Sequence, residues 1–335
     1  MNARWKVFLA AQGAYFDGTR VSGFARPHDE SGTASNTVLA DLSHEGLIAV
    51  TGGDARNFLQ GQLSTDLQEL APERGQLSSW SNAKGRVVTL FRVFQRDEVI
   101  HLALPQPLLA PVMQRLSMYV LRSKALLTDA GDAFVRFGIA GTGAEELLHQ
   151  AGLTPPPGVN EQTRKDETWL MRLQGQMPRY AVHGPAEALI PLWQALQAKD
   201  ARPAGEDHWA LLKILAGEPT VYPATSEHFV AQMLGLEELG AINFRKGCYT
   251  GQEVIARAHY RGGVKRHLVH ARCQTPEPVS PGTAVKLRGQ NQTVAEIVDA
   301  RRDIKGETRM LVVIQDEHRA SPLALSGKED VTLDE

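Results

Sequence analysis

The pattern of apolar residues changes kind at Gly262-Gly263. After these glycines the chain runs through short stretches of strand period only, at 267–273, 283–288, 294–300 and 309–315. Turn-forming residues Pro276, Pro278, Pro281-Gly282 and Lys305-Gly306 separate them. Such spacing predicts a small all-β unit, a barrel or a sandwich. Before the glycines, strand and helix periods alternate. Gly46 to Thr51 reads as a strand, and Asp54 is placed to cap a helix carrying Ala55, Phe58, Leu59 and Leu63. Arg86 to Phe94 and Glu98 to Leu104 read as strands turned at Arg96-Asp97, followed by a helix with Leu108, Leu109, Val112, Met113, Leu116 and Tyr119 on one face.

A second unit is expected from Leu121. It contains a strand from Ala133 to Ala140, a helix from Ala144 to Gln150, and a break at Pro155-Pro156-Pro157-Gly158. Strands at 168–174 and 178–183 then lead to a helix opened by Pro185 with Leu189, Leu192, Trp193 and Leu196 inward. From Asp207, the residues Trp209, Leu212 and Leu215 keep helical spacing until Gly217 and Pro219, and 220–240 reads as mostly irregular. The mixture is α+β. Its expected units are an extension over 1–35, a core of 36–120 with 206–262, a middle domain of 121–205 and a β unit of 263–335. The polar stretch Pro27 to Thr33 reads as a loop ahead of the body.

The 335 residues carry a formal net charge of −2, so no global field draws the chain to nucleic acid, and an anion must be met by a local patch. Cys248 and Cys273 are the only two cysteines, which excludes a disulfide framework and favours a reducing compartment. No apolar run approaches the roughly 20 residues a membrane helix needs. In Met1 to Arg20, the run Val7-Phe8-Leu9-Ala10-Ala11 is short for a signal peptide and Gln12 interrupts it, while Asp17, Asp29 and Glu30 argue against an organelle presequence. The expected location is cytoplasmic.

The local patch exists. Between Phe244 and His267, Arg245, Lys246, Arg257, Arg261, Lys265 and Arg266 face the single acid Glu253. This suits an anion: a glutamate tail, a phosphate or an RNA backbone. Gly247 and Gly251 permit a tight turn and close approach of a ligand to the backbone. A helix beginning at Glu253 would place Cys248 just ahead of a helix N-terminus, beside Lys246 and Arg245, where a thiolate is favoured. The same stretch also fits a buried structural cysteine beneath a solvated basic face, and spacing does not separate the two. Zinc or cluster ligation by Cys248, His259, His267, His270 and Cys273 is disfavoured: no Cys-x-x-Cys pair is present, and strand alternation puts His270 opposite His267 and Cys273. A triad sketched from Asp41-Leu42-Ser43-His44 lacks a nucleophile elbow.

The octapeptide Lys246-Gly247-Cys248-Tyr249-Thr250-Gly251-Gln252-Glu253, followed by Val254-Ile255-Ala256-Arg257, resembles the signature of the YgfZ family, folate-dependent relatives of the glycine-cleavage T-protein, an aminomethyltransferase. Asp41-Leu42-Ser43, Val50 to Asp54, Phe58 to Gln62, Asn82 to Arg86 and Trp209 through Pro219 are similar to further blocks of that superfamily. The resemblance implies a T-protein-like fold with a central folate cavity, a ferredoxin-like middle domain and a C-terminal β-barrel. It implies tetrahydrofolate or a derivative as ligand, and a role in making or repairing Fe–S proteins, indirectly supporting tRNA modification. By position, Trp209 would pack on the folate. Lys246, Gly247, Tyr249, Gly251, Gln252 and Glu253 would border the cavity with Cys248 as functional thiol; Arg257 is added on charge alone.

Two departures distinguish this chain from a transferase. The acidic pair that follows the glycine loop in aminomethyltransferases is here Gly85-Arg86-Val87-Val88-Thr89-Leu90, without a carboxylate. In the Leu-Glu-Ala-Gly element, Leu215 stands in the place of the acid, and Glu218 is the nearest substitute. The reading is therefore a tetrahydrofolate-binding accessory factor whose own reaction is open, ahead of an aminomethyl- or methyltransferase and of a tRNA-binding module built on the basic patch.

Overall fold

The computed structural model describes residues 1–25, 37–325 and 329–334. Its first sheet has the order Gln76–Ser81, Val87–Arg96, Val99–Pro105, Glu45–Thr51, Leu126–Asp129, with every neighbour antiparallel. Val87–Arg96 and Val99–Pro105 turn on Asp97, a non-glycine at φ 53°. Helix Gln106–Ser117 covers the sheet with Leu108, Leu109, Val112 and Leu116, the face its spacing predicts. Asp54 does stand at the N-cap of helix Ala55–Gln60, but it makes no side-chain cap bond; its carboxylate accepts the Lys124 N–H at 2.7 Å and so ties the helix to the sheet edge.

The second sheet runs Gln162–Lys165, Thr168–Arg172, Arg179–Gly184, Val135–Ala140, Val38–Asp41, Arg202–Ala204. All pairs are antiparallel except the last. Helices Ala144–Gln150 and Ala186–Gln197 pack on it through Leu147, Leu148, Leu189, Trp193 and Leu196. The sequence units and the sheets divide the chain differently. Val38–Asp41, buried at all four positions, joins the second sheet, and Leu126–Asp129 pairs with Glu45–Thr51 in the first.

The N-terminal segment, expected as an extension ahead of the core, carries a helix and a hairpin. Asn2 Oδ1 accepts the Trp5 N–H and opens helix Ala3–Ala11, and the hairpin Ala14–Asp17 and Arg20–Phe24 follows. Trp5 and Leu9 are fully buried in the core of the second sheet; the Trp5 ring meets Trp193 edge-on at 5.4 Å, and its Nε1–H bonds Asp41 at 2.7 Å. Burial of a ring of this size makes the segment part of the core. The predicted Pro27 to Thr33 loop lies outside the described residues.

The tail forms a closed barrel, Arg266–Cys273, Thr308–Gln315, Thr293–Arg302, Ala284–Leu287, Leu323–Leu325, Glu329–Leu333, which closes through pairing of the first and last strands. Its last two strands, Leu323–Leu325 and Glu329–Leu333, are not among those expected from the sequence. Among the described residues no helix is long and apolar enough to cross a membrane.

Candidate functional site

A cavity of about 510 Å³ opens where the two sheets, helix Glu206–Leu215 and barrel strand Thr293–Arg302 converge. This volume suits a small-molecule ligand. Leu90 and Arg92, two apart on one strand, point into it; so do Arg179 and Ala181 from the second sheet. Helix Glu206–Leu215 contributes Glu206, Trp209, Ala210 and Lys213, one face at helical spacing. The apolar walls are Leu77, Leu90, Leu104 and Leu173, and the charged groups gather at two places.

At the first, Glu218 is 5% exposed and each of its carboxylate oxygens accepts one guanidinium bond, from Arg92 Nη2 and from Arg179 Nη2, both at 2.7 Å; Lys213 Nζ stands 4.0 Å away. Burial alone would raise this carboxyl, but the three cations hold it down at about 2. Arg179 also donates twice to the Gln174 carbonyl, while its Nη1 is buried with no partner among the described residues.

At the second, Arg301 bonds Asp299 at 2.9 Å and the Tyr222 hydroxyl at 3.1 Å and pairs with Asp207 at 3.1 Å, while Arg20 pairs with Glu206 at 2.9 Å. Every buried or half-buried carboxylate on the cavity wall thus faces a guanidinium, Glu45 included, at 3.7 Å from Arg136.

Of the residues expected to touch the ligand, Trp209 is on the cavity wall, and it is 1% exposed. Its ring edge lies so close to Gly138 that a Cβ there would stand 2.4 Å from it, and the Arg179 guanidinium covers the ring at 5.5 Å. The indole is thus a fixed wall that orients Arg179, with little surface left for a stacked ligand. Leu215, in the place of the family's acid, is 47% exposed, and Glu218 three residues on is the acid that enters the cavity.

The octapeptide is elsewhere. Lys246, Gly247, Cys248, Tyr249, Gly251, Gln252, Glu253 and Arg257 do not line the cavity, contrary to the expectation from the resemblance. Lys246 turns inward instead, and its ammonium donates to the carbonyls of Gln60 at 2.7 Å, Leu63 at 2.7 Å and Thr65 at 2.9 Å. Burial pulls its pKa down to about 8, opposed more weakly by Asp66, so at neutral pH it remains an ammonium. Tyr249 is buried in the core of the first sheet. Gly251 has φ 83°, and a Cβ there would stand 2.6 Å from the Asn82 carbonyl, so the start of helix Gln252–Tyr260 lies directly on the loop 82–86. Gly247 has open space around it and no positive φ, so the turn does not require glycine there. Glu253 and Arg257 pair with each other at 2.8 Å on the surface.

Cys248 is exposed and Cys273 is buried in the barrel, its thiol pushed up to about 11 by burial first and by Glu329. His267 bonds Asp316 and His270 bonds the Ile214 carbonyl; no group of three or more metal-ligating residues forms among the described residues. Asp41 is no triad acid: it accepts from Trp5, from the Ser43 hydroxyl and from the Ser43 N–H, and so closes a buried turn.

The whole chain superposes on aminomethyltransferase T of the glycine cleavage system from Bartonella henselae, covering 100% of this chain and 97% of that one with a TM-score of 0.78 at 14% identity. The class is therefore the T-protein fold, with its closed six-stranded C-terminal barrel. No family model matches the chain. The tRNA-modifying protein YgfZ of Klebsiella pneumoniae is 32% identical over 230 residues, 69% of this chain and 70% of that protein. The YgfZ of Colwellia psychrerythraea is 29% identical over 257 residues, 76% of this chain and 78% of that one. This chain belongs to the YgfZ family.

Arg92, Arg179, Lys213, Glu206 and Arg301 went unnominated by sequence reasoning. One signal was present: Arg92 interrupts the apolar run Val87-Val88-Thr89-Leu90-Phe91, and a charge on the buried face of a strand needs a partner or a ligand.

Proposed function

We propose that the chain is a tetrahydrofolate-binding accessory protein for assembly or repair of Fe–S proteins, indirectly supporting tRNA modification, with Cys248 as its functional thiol. The observation that carries the ligand is a cavity of about 510 Å³, mostly apolar, whose wall gathers Arg92, Arg179 and Lys213 around Glu218. A reduced pterin offers ring faces to Leu77, Leu90 and Leu104. When bound, tetrahydrofolate supplies a carrier of one-carbon units. The link to tRNA modification rests on the names of the relatives, and the Fe–S role on the family resemblance.

Support for an aminomethyltransferase is weaker. Thr89 is fully buried, its strand sends Leu90 and Arg92 into the cavity, and the buried carboxylates already face guanidinium groups. Of the lining carboxylates only the exposed Asp17 has no ion pair among the described residues, so no buried anion is free to stabilise a cationic one-carbon intermediate.

The test is calorimetric titration with tetrahydrofolate and its formyl and methylene forms, on wild type and on Ala210→Phe, whose ring fills the cavity instead of emptying the core. Saturable binding by at least one form, lost in the variant while its circular dichroism is unchanged, is expected. Heatless titrations with all forms remove folate from the reading. Cys248→Ser should lower Fe–S enzyme activities in cells and leave folate binding intact; unchanged activities overturn the role of the thiol.

A further inference from the structure

The surface on the outer side of the octapeptide is not used by the cavity. Here Phe244 stacks on His259 with centroids 3.9 Å apart and planes at 17°, and Tyr260 stands edge-on to His259 at 4.7 Å. Glu237 holds His259 in place from the other side, at 3.1 Å. Tyr260 is 69% exposed, an aromatic ring presented to water on a fixed base. After it, the Gly263 N–H bonds back to the Ala258 carbonyl and folds the chain over the end of helix Gln252–Tyr260, so that Arg261 and the pair Lys265 and Arg266 flank the same turn. Arg245, Arg261, Lys265 and Arg266 are all exposed, and none has an ion-pair partner among the described residues, unlike Arg257, which Glu253 neutralises.

We propose that this surface binds a single strand of nucleic acid, with a base stacked on Tyr260 and the backbone phosphates met by Arg245, Arg261, Lys265 and Arg266. One observation selects this partner over an acidic protein. Cations without carboxylate partners suit any polyanion, but a rigid, exposed ring beside them adds a face that a base stacks on and an acidic side chain does not use. The proposal goes beyond the folate reading and is independent of it.

Fluorescence anisotropy with labelled, unstructured 12-nucleotide RNA and DNA strands tests it on the full chain. Binding by either strand is expected, falling steeply with salt, and the two arms show whether the sugar is read. Tyr260→Ala should weaken binding about tenfold and Tyr260→Phe should retain it, because stacking needs the ring and not the hydroxyl. Arg261→Ala with Arg266→Ala should lower the slope of log affinity against log salt by about 1.4, at roughly 0.7 per lost phosphate contact on a single strand. All of these side chains are exposed, so an unchanged melting temperature separates lost binding from lost fold. No binding by either strand at low salt overturns the proposal. So does equal affinity for polyglutamate, which would mark a surface for acidic protein, and so does a Tyr260→Ala variant that binds like wild type.

Discussion

The ammonium of Lys246 is a neutral-pH cation whose three donors are taken up by the carbonyls of Gln60, Leu63 and Thr65, in a place too buried for water to replace it. Lys246→Met keeps the stem and removes the donors, and should cost about 2–4 kcal/mol of unfolding free energy in urea. Gly247→Ala, one residue on and open to solvent, should stay within about 0.5 kcal/mol. A thiol reagent applied to the native protein should label Cys248 and spare Cys273 until denaturant is added; rapid labelling of both would contradict the burial described. The sequence located this motif and could not orient it. A lysine beside a cysteine in a basic run reads as part of an anion site, and only the carbonyls left free after helix Ala55–Gln60 turn that lysine inward. Arg179 is the converse case, a cavity residue that nothing in its flanking sequence marks.

At the scale of elements, helix Gln252–Tyr260 is seated by contact with the loop 82–86, where Gly251 meets the Asn82 carbonyl. Gly251→Ala combines a left-handed backbone cost of about 1–2 kcal/mol with a displaced carbonyl, for a total of about 2–4 kcal/mol. Amide exchange over 252–260 should then speed up more than exchange in the barrel. Elements with a clear period were legible. Helix Ala144–Gln150 and strand Arg266–Cys273 lie almost where spacing puts them; of the four predicted barrel strands the last three pair consecutively, and the first, Arg266–Cys273, lies beside the fourth in Greek-key order. Gln76–Ser81 was not legible. All six of its residues are buried, and Gln76, Ser78 and Ser79 are satisfied by hydrogen bonds to Ser64, Thr65 and the Asp66 carbonyl, so its polar residues sit inside and no alternation shows. Helix Ala3–Ala11 buries only Trp5 and Leu9, too few positions to reveal a helical face.

Across the whole molecule, Glu218 joins three parts: Arg92 of the first sheet, Arg179 of the second and its own segment after helix Glu206–Leu215. Its folded pKa, about 2, lies below its ordinary value of 4.5, so its contribution to stability is complete above 4.5 and is lost as pH falls through 2. Glu218→Gln should lose about 3–5 kcal/mol at pH 7, since both guanidinium groups are left buried and unpaired. The fall in its melting temperature between about pH 4.5 and 2 should also be shallower than that of wild type. A parallel decline of the two proteins would show that this carboxylate does not connect the sheets.

The strand Val38–Asp41 pairs with Val135–Ala140 on one side and Arg202–Ala204 on the other. During synthesis it therefore leaves the ribosome long before either neighbour exists. At about 5–20 residues per second, its two edges stay open for on the order of 5–30 seconds. Val38, Leu39 and Ala40 are apolar, and an unpaired apolar edge is a template for wrong pairing. The second sheet thus cannot be completed until Arg202–Ala204 has been made, and until then Val38–Asp41 is open to wrong pairing.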